Sequence, residues 1–483
     1  MYMRRSIRLV ALFIVLITLL APSITQPKPA EAQGITLRIA LDADPVTFDT
    51  GQVLSRSSQF VFNQLYEGMF QYAEDGSILP AGATGYDVSG LGLIYTIYLR
   101  QDAKWSDDTP VIAQHYVDGL LQASGSEWGS IYLQNVVNIQ SSGYTITITL
   151  DQASIYFPHI LAAPHISSPV RLDKNPAERP FFNNGPYKLD EWVDEDRLTL
   201  TKNDYYWGKN NVQIEEILFL VVPERGTQLQ MYESNELDVS GFPTSALPYI
   251  ESNLSSQFHH VPRPGTYFLG LNTQLTPTDN PDFRKALSSS IDRQGIINNI
   301  LQLPWRIPAT GMIPPEVPGY QGYDVGYPYS LSMAEEYFDL AGVSDPAVLL
   351  WYNEGGLNEA IAQEVANMWN IWGVDVTIEP FDWTTYTDQL NTCSINPATC
   401  PYHAYRLGWV GDYLDAWTFL YDTLDRGFGA TGWTSNDYTE LLAAAAVEED
   451  EATRTALYRQ ADKLLVQDDA VIIQHSCAGT PLP

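Results

Sequence analysis

The chain has 483 residues, with 26 Lys/Arg against 58 Asp/Glu and a formal charge of −32. An acidic excess of this size argues against nucleic acid or anionic lipid as partners, because association with phosphates runs through basic patches. The length exceeds the roughly 250–300 residues at which a single core stops growing, so at least two lobes are expected, and 12% aromatic with 17% charged residues points to a folded chain rather than extended disorder.

Arg4, Arg5 and Arg8 precede an apolar run from Leu9 to Leu20, followed by Ala30-Glu31-Ala32. Basic, apolar and small-residue segments in that order predict a signal peptide over residues 1–32 with cleavage near Ala32. The run falls short of the roughly 20 apolar residues that span a bilayer. The first cysteine is Cys393, so no lipid-bearing cysteine follows the cleavage point. The expectation is a protein secreted across the cytoplasmic membrane, periplasmic or extracellular, and not N-terminally lipidated. Loss of residues 1–32 removes four Lys/Arg and one Glu, leaving 22 basic and 57 acidic residues, a charge of −35.

Beyond that leader, strand and helix patterns alternate. "ITLRIAL" from Ile35, "YTIYL" from Tyr95 and "YTITITL" from Tyr144 show the alternation or β-branched runs of half-buried strands. A polar cap followed by "SSQFVFNQLYEGMF" from Ser57 predicts an amphipathic helix. Strand patterns return at "IEEILFLVV" (214–222), "TYFLGLN" (266–272), "VDVTIEP" (374–380) and "HAYRLGW" (403–409). Helices are predicted near Ser332, where Gly342 ends the pattern, and near Leu357, Asp437 and Glu451. The Pro- and Gly-rich stretch from Pro304 to Pro328 reads as an irregular surface connection. Mixed elements of this kind predict α/β lobes with open sheets.

Three cysteines, Cys393, Cys400 and Cys477, would reside where disulfides persist. The loop between Cys393 and Cys400 contains Asn396 and Pro397, so a local Cys393–Cys400 disulfide with Cys477 free is the leading expectation. A zinc site drawing on Cys393, Cys400, His403 and Cys477 is the competing one, although six intervening residues exceed a zinc knuckle's spacing. No phosphate-binding Gly-rich loop, Gly-x-Ser-x-Gly elbow or His-Glu-x-x-His occurs. No catalytic residue, metal ligand or cofactor is therefore assigned.

Four stretches, in order, resemble the oligopeptide- and dipeptide-binding class of ABC-transporter solute-binding proteins. They are "YTIYLRQDAKWSDDTPVIAQHYVDGL" from Tyr95, "NNGPYKLDEW" from Asn183 with "KNDYYWG" from Lys202, "FLGLNTQLTPTDNPDFRKALSSSIDRQGII" from Phe268, and "YRLGWVGDYLDAW" from Tyr405. The resemblance implies a type II, Venus-flytrap fold of two α/β lobes closing over a ligand. It places residues 33–48, 165–265 and 469–483 in lobe I, 49–164 in an inserted subdomain, and 266–468 in lobe II. It also implies a further lobe I strand beyond "DDAVIIQHS", so that here lobe I is either completed differently or the product is shortened. In "KWSDDTP", Asp108 stands where the family usually has Gly, in a turn expected to lead into a helix capped by Thr109 or Asp108.

By the same resemblance Asp412 accepts a ligand's α-ammonium group, Trp409 lines the side-chain space, and Arg406 meets a peptide carboxylate. For Arg406 a buried ion pair is the alternative, and for Asp412 or, better, Asp415 a helix cap. Backbone groups of Gly408 and Val410 could pair with an extended ligand, and Val46 and Thr47 would contribute part of the rim. The function implied is extracytoplasmic capture of short peptides by a monomer that delivers them to transmembrane permease subunits, whose ATPase subunits are separate chains. The alternatives are oligosaccharide binding on the same fold and, from another class, a secreted hydrolase.

Overall fold

The computed structural model describes residues 34–53, 55–126, 129–173, 182–261, 263–321, 323–425 and 430–478. The expected signal peptide and its cleavage point lie outside the described residues. Three large sheets organise the rest. In the first, strands run in the order Thr36–Leu41, Glu216–Val221, Arg197–Lys202, Tyr187–Val193. The first pair is parallel and the others antiparallel. Alternation sends Ile39, Leu41, Leu198, Leu200, Ile217 and Phe219 into the core.

Within the region read as inserted, Ala83–Ser89, Ile94–Leu99, Thr145–Leu150 and Val136–Ser142 form an antiparallel meander-like sheet. Tyr95, Ile97, Ile146 and Ile148 are buried, as is the apolar stripe Tyr116, Val117 and Leu120 of the helix Ala113–Ser124. That helix starts later than expected. Ile112 is its N-cap residue, and neither Asp108 nor Thr109 caps it. Asp108 instead occupies the turn with φ of 70°, a left-handed geometry that Asp accepts better than most side chains.

The largest sheet has six strands, ordered Arg306–Pro308, Ile472–Ala478, Gly265–Leu271, Ala404–Val410, Ala347–Asn353, Asp375–Phe381. One face buries Leu269, Leu271 and Leu350 against Phe283 and Leu287 of the helix Pro281–Ser289 and Ile361, Val365 and Trp369 of the helix Asn358–Asn370. This topology puts 472–478, expected in lobe I, in the same sheet as strands expected in lobe II. Ile472–Ala478 lies beside Gly265–Leu271, its apolar "VIIQ" start pairing antiparallel with that strand on one edge and its Ser476–Ala478 end pairing antiparallel with Arg306–Pro308 on the other. Residues 479–483 lie outside the described residues.

The Pro-rich stretch is likewise more than a surface connection. It contributes the edge strand Arg306–Pro308, and Met312, Ile313, Val317 and Tyr320 are buried. Buried Asp462 holds it in place by accepting the amides of Met312, at 3.0 Å, and Ile313, at 3.4 Å. Cys393 and Cys400 have Cα atoms 5.6 Å apart with their sulfurs at bonding distance, while Cys477 is buried near the carbonyl of Ile307.

Candidate functional site

The strand Ala404–Val410 is central in its sheet, but only its first part is paired on both edges. Its register with Gly265–Leu271 runs from Leu271↔Ala404 to Gly265↔Val410, whereas Ala347–Asn353 pairs with it only at Ala404 and Tyr405. Hydrogen bonds fix which way the backbone faces. Asn272 donates to the His403 carbonyl and Gly411 donates to the Pro264 carbonyl, so odd-numbered residues turn towards the Gly265–Leu271 strand. On the other edge the Tyr386 hydroxyl donates to the Arg406 carbonyl at 2.6 Å. Gly408 and Val410 share the orientation of Arg406, so their N–H and C=O groups face an edge that no strand covers among the described residues.

Side chains alternate across this strand as expected from period 2. Arg406 and Gly408 share the face of Tyr267, which stands opposite Gly408 in the register. A Cβ on Gly408 would fall 2.5 Å from the Tyr267 ring, so the glycine admits that ring. Leu407 and Trp409 take the opposite face, where Leu407 is buried and Trp409 is half-buried with Nε1 donating to Thr418 Oγ1 at 3.1 Å. Arg406 is 6% exposed, makes no ion pair among the described residues, and its Nε is buried without an acceptor. Burial lowers its pKa to about 10. The ion-pair alternative for Arg406 is therefore not what the structure adopts.

Past the strand end, Asp412 is exposed and Asp415 is buried. Asp415 Oδ1 accepts the Trp417 amide at 2.8 Å in the turn before the helical segment, whose N-cap residue is Trp417 with no side-chain cap, and burial raises the Asp415 pKa. The aromatic residues of this loop are largely packing. Tyr413 and Trp417 stack on Tyr156 with ring centroids 5.6 and 5.0 Å away, and the Leu414 amide donates to the Tyr72 hydroxyl at 3.2 Å. The loop after Asp412 is thus held against Tyr72 and Tyr156. Val46 is 81% exposed, but its amide donates to Ser58 Oγ, and the Thr47 hydroxyl accepts from the Asp49 amide. Both candidates are engaged locally, on the loop after the first sheet's Thr36–Leu41 strand rather than on the Ala404–Val410 strand.

Sequence reasoning overlooked Tyr267, Arg306 and His475, which gather around the same point. The Arg306 and Arg406 guanidinium carbons lie 4.6 and 5.3 Å from the Tyr267 ring centroid, and the His475 ring lies 6.3 Å away. The one available signal was Gly408, since a glycine inside a strand marks a close approach.

The sequence model of the bacterial extracellular solute-binding proteins, family 5 (middle region), matches residues 77–430. This chain belongs to that family. It is 29% identical to the oligopeptide-binding protein OppA of Bacillus subtilis over 90% of this chain and 86% of that protein. It is 27% identical to the probable deoxycholate-binding periplasmic protein YgiS of Escherichia coli, over 98% of this chain and 93% of that one. Among solved structures, the unliganded open form of the murein tripeptide-binding protein MppA superposes with a TM-score of 0.79 at 25% identity, covering 92% of each chain. A further structure of Escherichia coli MppA, also 25% identical and covering 92% of this chain and 93% of that one, gives 0.66. The three sheets are accordingly those of a two-lobed, type II binding protein with an inserted subdomain, a non-catalytic solute-binding fold. Among the described residues no helix is long and apolar enough to cross a membrane.

Proposed function

We propose that this chain captures short peptides outside the cytoplasm and delivers them to the transmembrane subunits of an ABC importer. The observation that carries the reading is the uncovered backbone edge at Gly408 and Val410. It offers donors and acceptors to an extended chain regardless of its side chains. Exposed Asp412 beyond one end supplies a carboxylate for the ligand's ammonium, a charge-assisted hydrogen bond contributing roughly 1.5–3 kcal/mol. Buried Arg406, without an ion pair among the described residues, supplies a guanidinium for a carboxylate, and half-buried Trp409 borders the side-chain space. Val46 and Thr47 approach as rim contacts once the lobes close.

The lobes in this reading are 33–48 with 165–265, and 266–478, with 49–164 inserted. Residues 1–32 act as a cleaved leader, the Cys393–Cys400 bridge is kept by export, and the binding protein works as a monomer. A second reading, an anionic amphiphile in the same cleft, draws on the YgiS similarity and on the unpaired guanidinium. Native mass spectrometry of freshly purified protein separates the two. The proposal expects co-purified peptides, and recovery of bile-acid-like or oligosaccharide ligands alone would overturn it.

A further inference from the structure

The sheet face around Tyr267 carries more positive charge than a single carboxylate contact requires. Arg306 and Arg406 reach the same ring from strands on opposite sides of the one that bears it. Among the described residues neither guanidinium has a carboxylate within ion-pair distance, and the Nε of each is buried without an acceptor. Fully buried His475 adds an Nε2 that also lacks a partner, its other ring nitrogen lying 3.1 Å from the Ser476 hydroxyl. Arg293, also nearby, is by contrast satisfied by the carbonyls of Gln474, Ser288 and Ile291. Two adjacent like charges, partly desolvated and uncompensated, are costly in a free protein. The arrangement is relieved when an anion arrives.

Arg306 is also where this cluster meets solvent. It lines an open cavity of about 900 Å³ between Thr244–Glu251 of the first lobe and Gln294–Arg306 of the second. Polar neighbours there are neutral (Gln294, Asn298, Gln302), and Glu251 is the one acidic lining residue. Glu316 lies close enough to feel Arg306, yet both its oxygens are buried without partners and it forms no ion pair with that arginine.

We propose that Arg306, backed by Arg406 and His475 around Tyr267, forms an anion subsite that selects peptides bearing an acidic side chain. The ligand's α-carboxylate engages one guanidinium, and a Glu or Asp side chain entering from the cavity engages the other. Arg306 is the specificity-determining residue in this arrangement. The proposal rests on the peptide-binding reading, and its test separates the two.

Calorimetry would measure binding of pentaalanine and of pentaalanine scanned with Glu at each position, against the same scan with isosteric Gln. At one position at least, Glu should bind tenfold or more tightly than Gln. The variant Arg306→Gln should abolish that preference while leaving pentaalanine affinity within about twofold, and Arg306→Lys should retain part of it. Thermal unfolding of Arg306→Gln without ligand should show an equal or higher midpoint, because an uncompensated charge is removed. If pentaalanine binds but Glu and Gln peptides bind equally at every position, or if Arg306→Gln keeps the preference, the anion subsite is wrong and the peptide reading stands. If no peptide binds at all, the peptide reading fails and takes this inference with it.

Discussion

Two arginines in this protein are equally buried and opposite in how their side-chain donors are used. Arg293, after the helix Pro281–Ser289, and Arg406, on the strand Ala404–Val410, are each 6% exposed, and burial lowers the pKa of each to about 10. Arg293 spends its donors on backbone carbonyls, with Nε on Gln474 at 2.7 Å and Nη1 on Ser288 and Ile291. Its neighbour Arg284 does the same with the carbonyls of Asp469, Thr278 and Asp279. Among the described residues the Arg406 side chain meets the face of Tyr267, and its Nε is buried without an acceptor. Burial alone therefore does not distinguish the two, whereas the hydrogen-bond inventory does, and the proposed binding role falls to the arginine whose donors the fold leaves unused.

The comparison breaks if the two arginines respond alike to removal. Arg293→Met removes the side-chain donor from the carbonyls of Gln474, Ser288 and Ile291, the last two keeping backbone donors, and chemical denaturation of ligand-free protein should show a loss of about 3 kcal/mol. A loss below about 1 kcal/mol would put Arg293 in the same class as Arg406.

Asp462 sharpens the contrast, being a buried carboxyl group with amide partners and, among the described residues, no cation in ion-pair contact. Burial pushes its pKa up to about 7, against the opposing pull of the Met312 and Ile313 amides. Since the folded value lies above the unfolded Asp value of about 4, its stabilising contribution is complete below pH 4 and is lost as pH rises through about 7. Stability of the wild type should fall between pH 4 and 7 relative to Asp462→Asn by about 1 kcal/mol or more. Parallel pH profiles for the two proteins would show that Asp462 is ordinary. The smallest effect belongs to Arg406→Met, which should leave ligand-free stability within about 1 kcal/mol of wild type, since a hydrophobic replacement for a desolvated charge is often neutral or better.

Much of this molecule was legible in its sequence. "YTITITL" became Thr145–Leu150, "HAYRLGW" became Ala404–Val410, and the helix near Ser332 runs Leu331–Ala341 with Gly342 as its left-handed cap at φ 58°. Local alternation and capping decide those elements. What was illegible depends on pairing across long separations. The strand Ile472–Ala478 was expected in the other lobe because apolar periodicity says that a strand exists but not which sheet receives it. Helix Ala113–Ser124 begins after Ile112 rather than at the polar turn, since Asp107 is committed to Thr109 and Arg171. For the site, the strand and its end were legible, whereas Tyr267, Arg306 and His475 were not, because only the register brings positions 267, 306, 406 and 475 together.

The central claim is that Asp412 anchors a ligand ammonium beside the open strand edge. Calorimetry on wild type and Asp412→Asn, each with a free and an N-acetylated peptide, tests it most directly. The account predicts that either change alone weakens binding tenfold or more, in line with roughly 1.5–3 kcal/mol for a charge-assisted hydrogen bond, and that the second change adds little once the first is made. Equal affinities for free and acetylated peptide in the wild type, or losses that simply add, would contradict it.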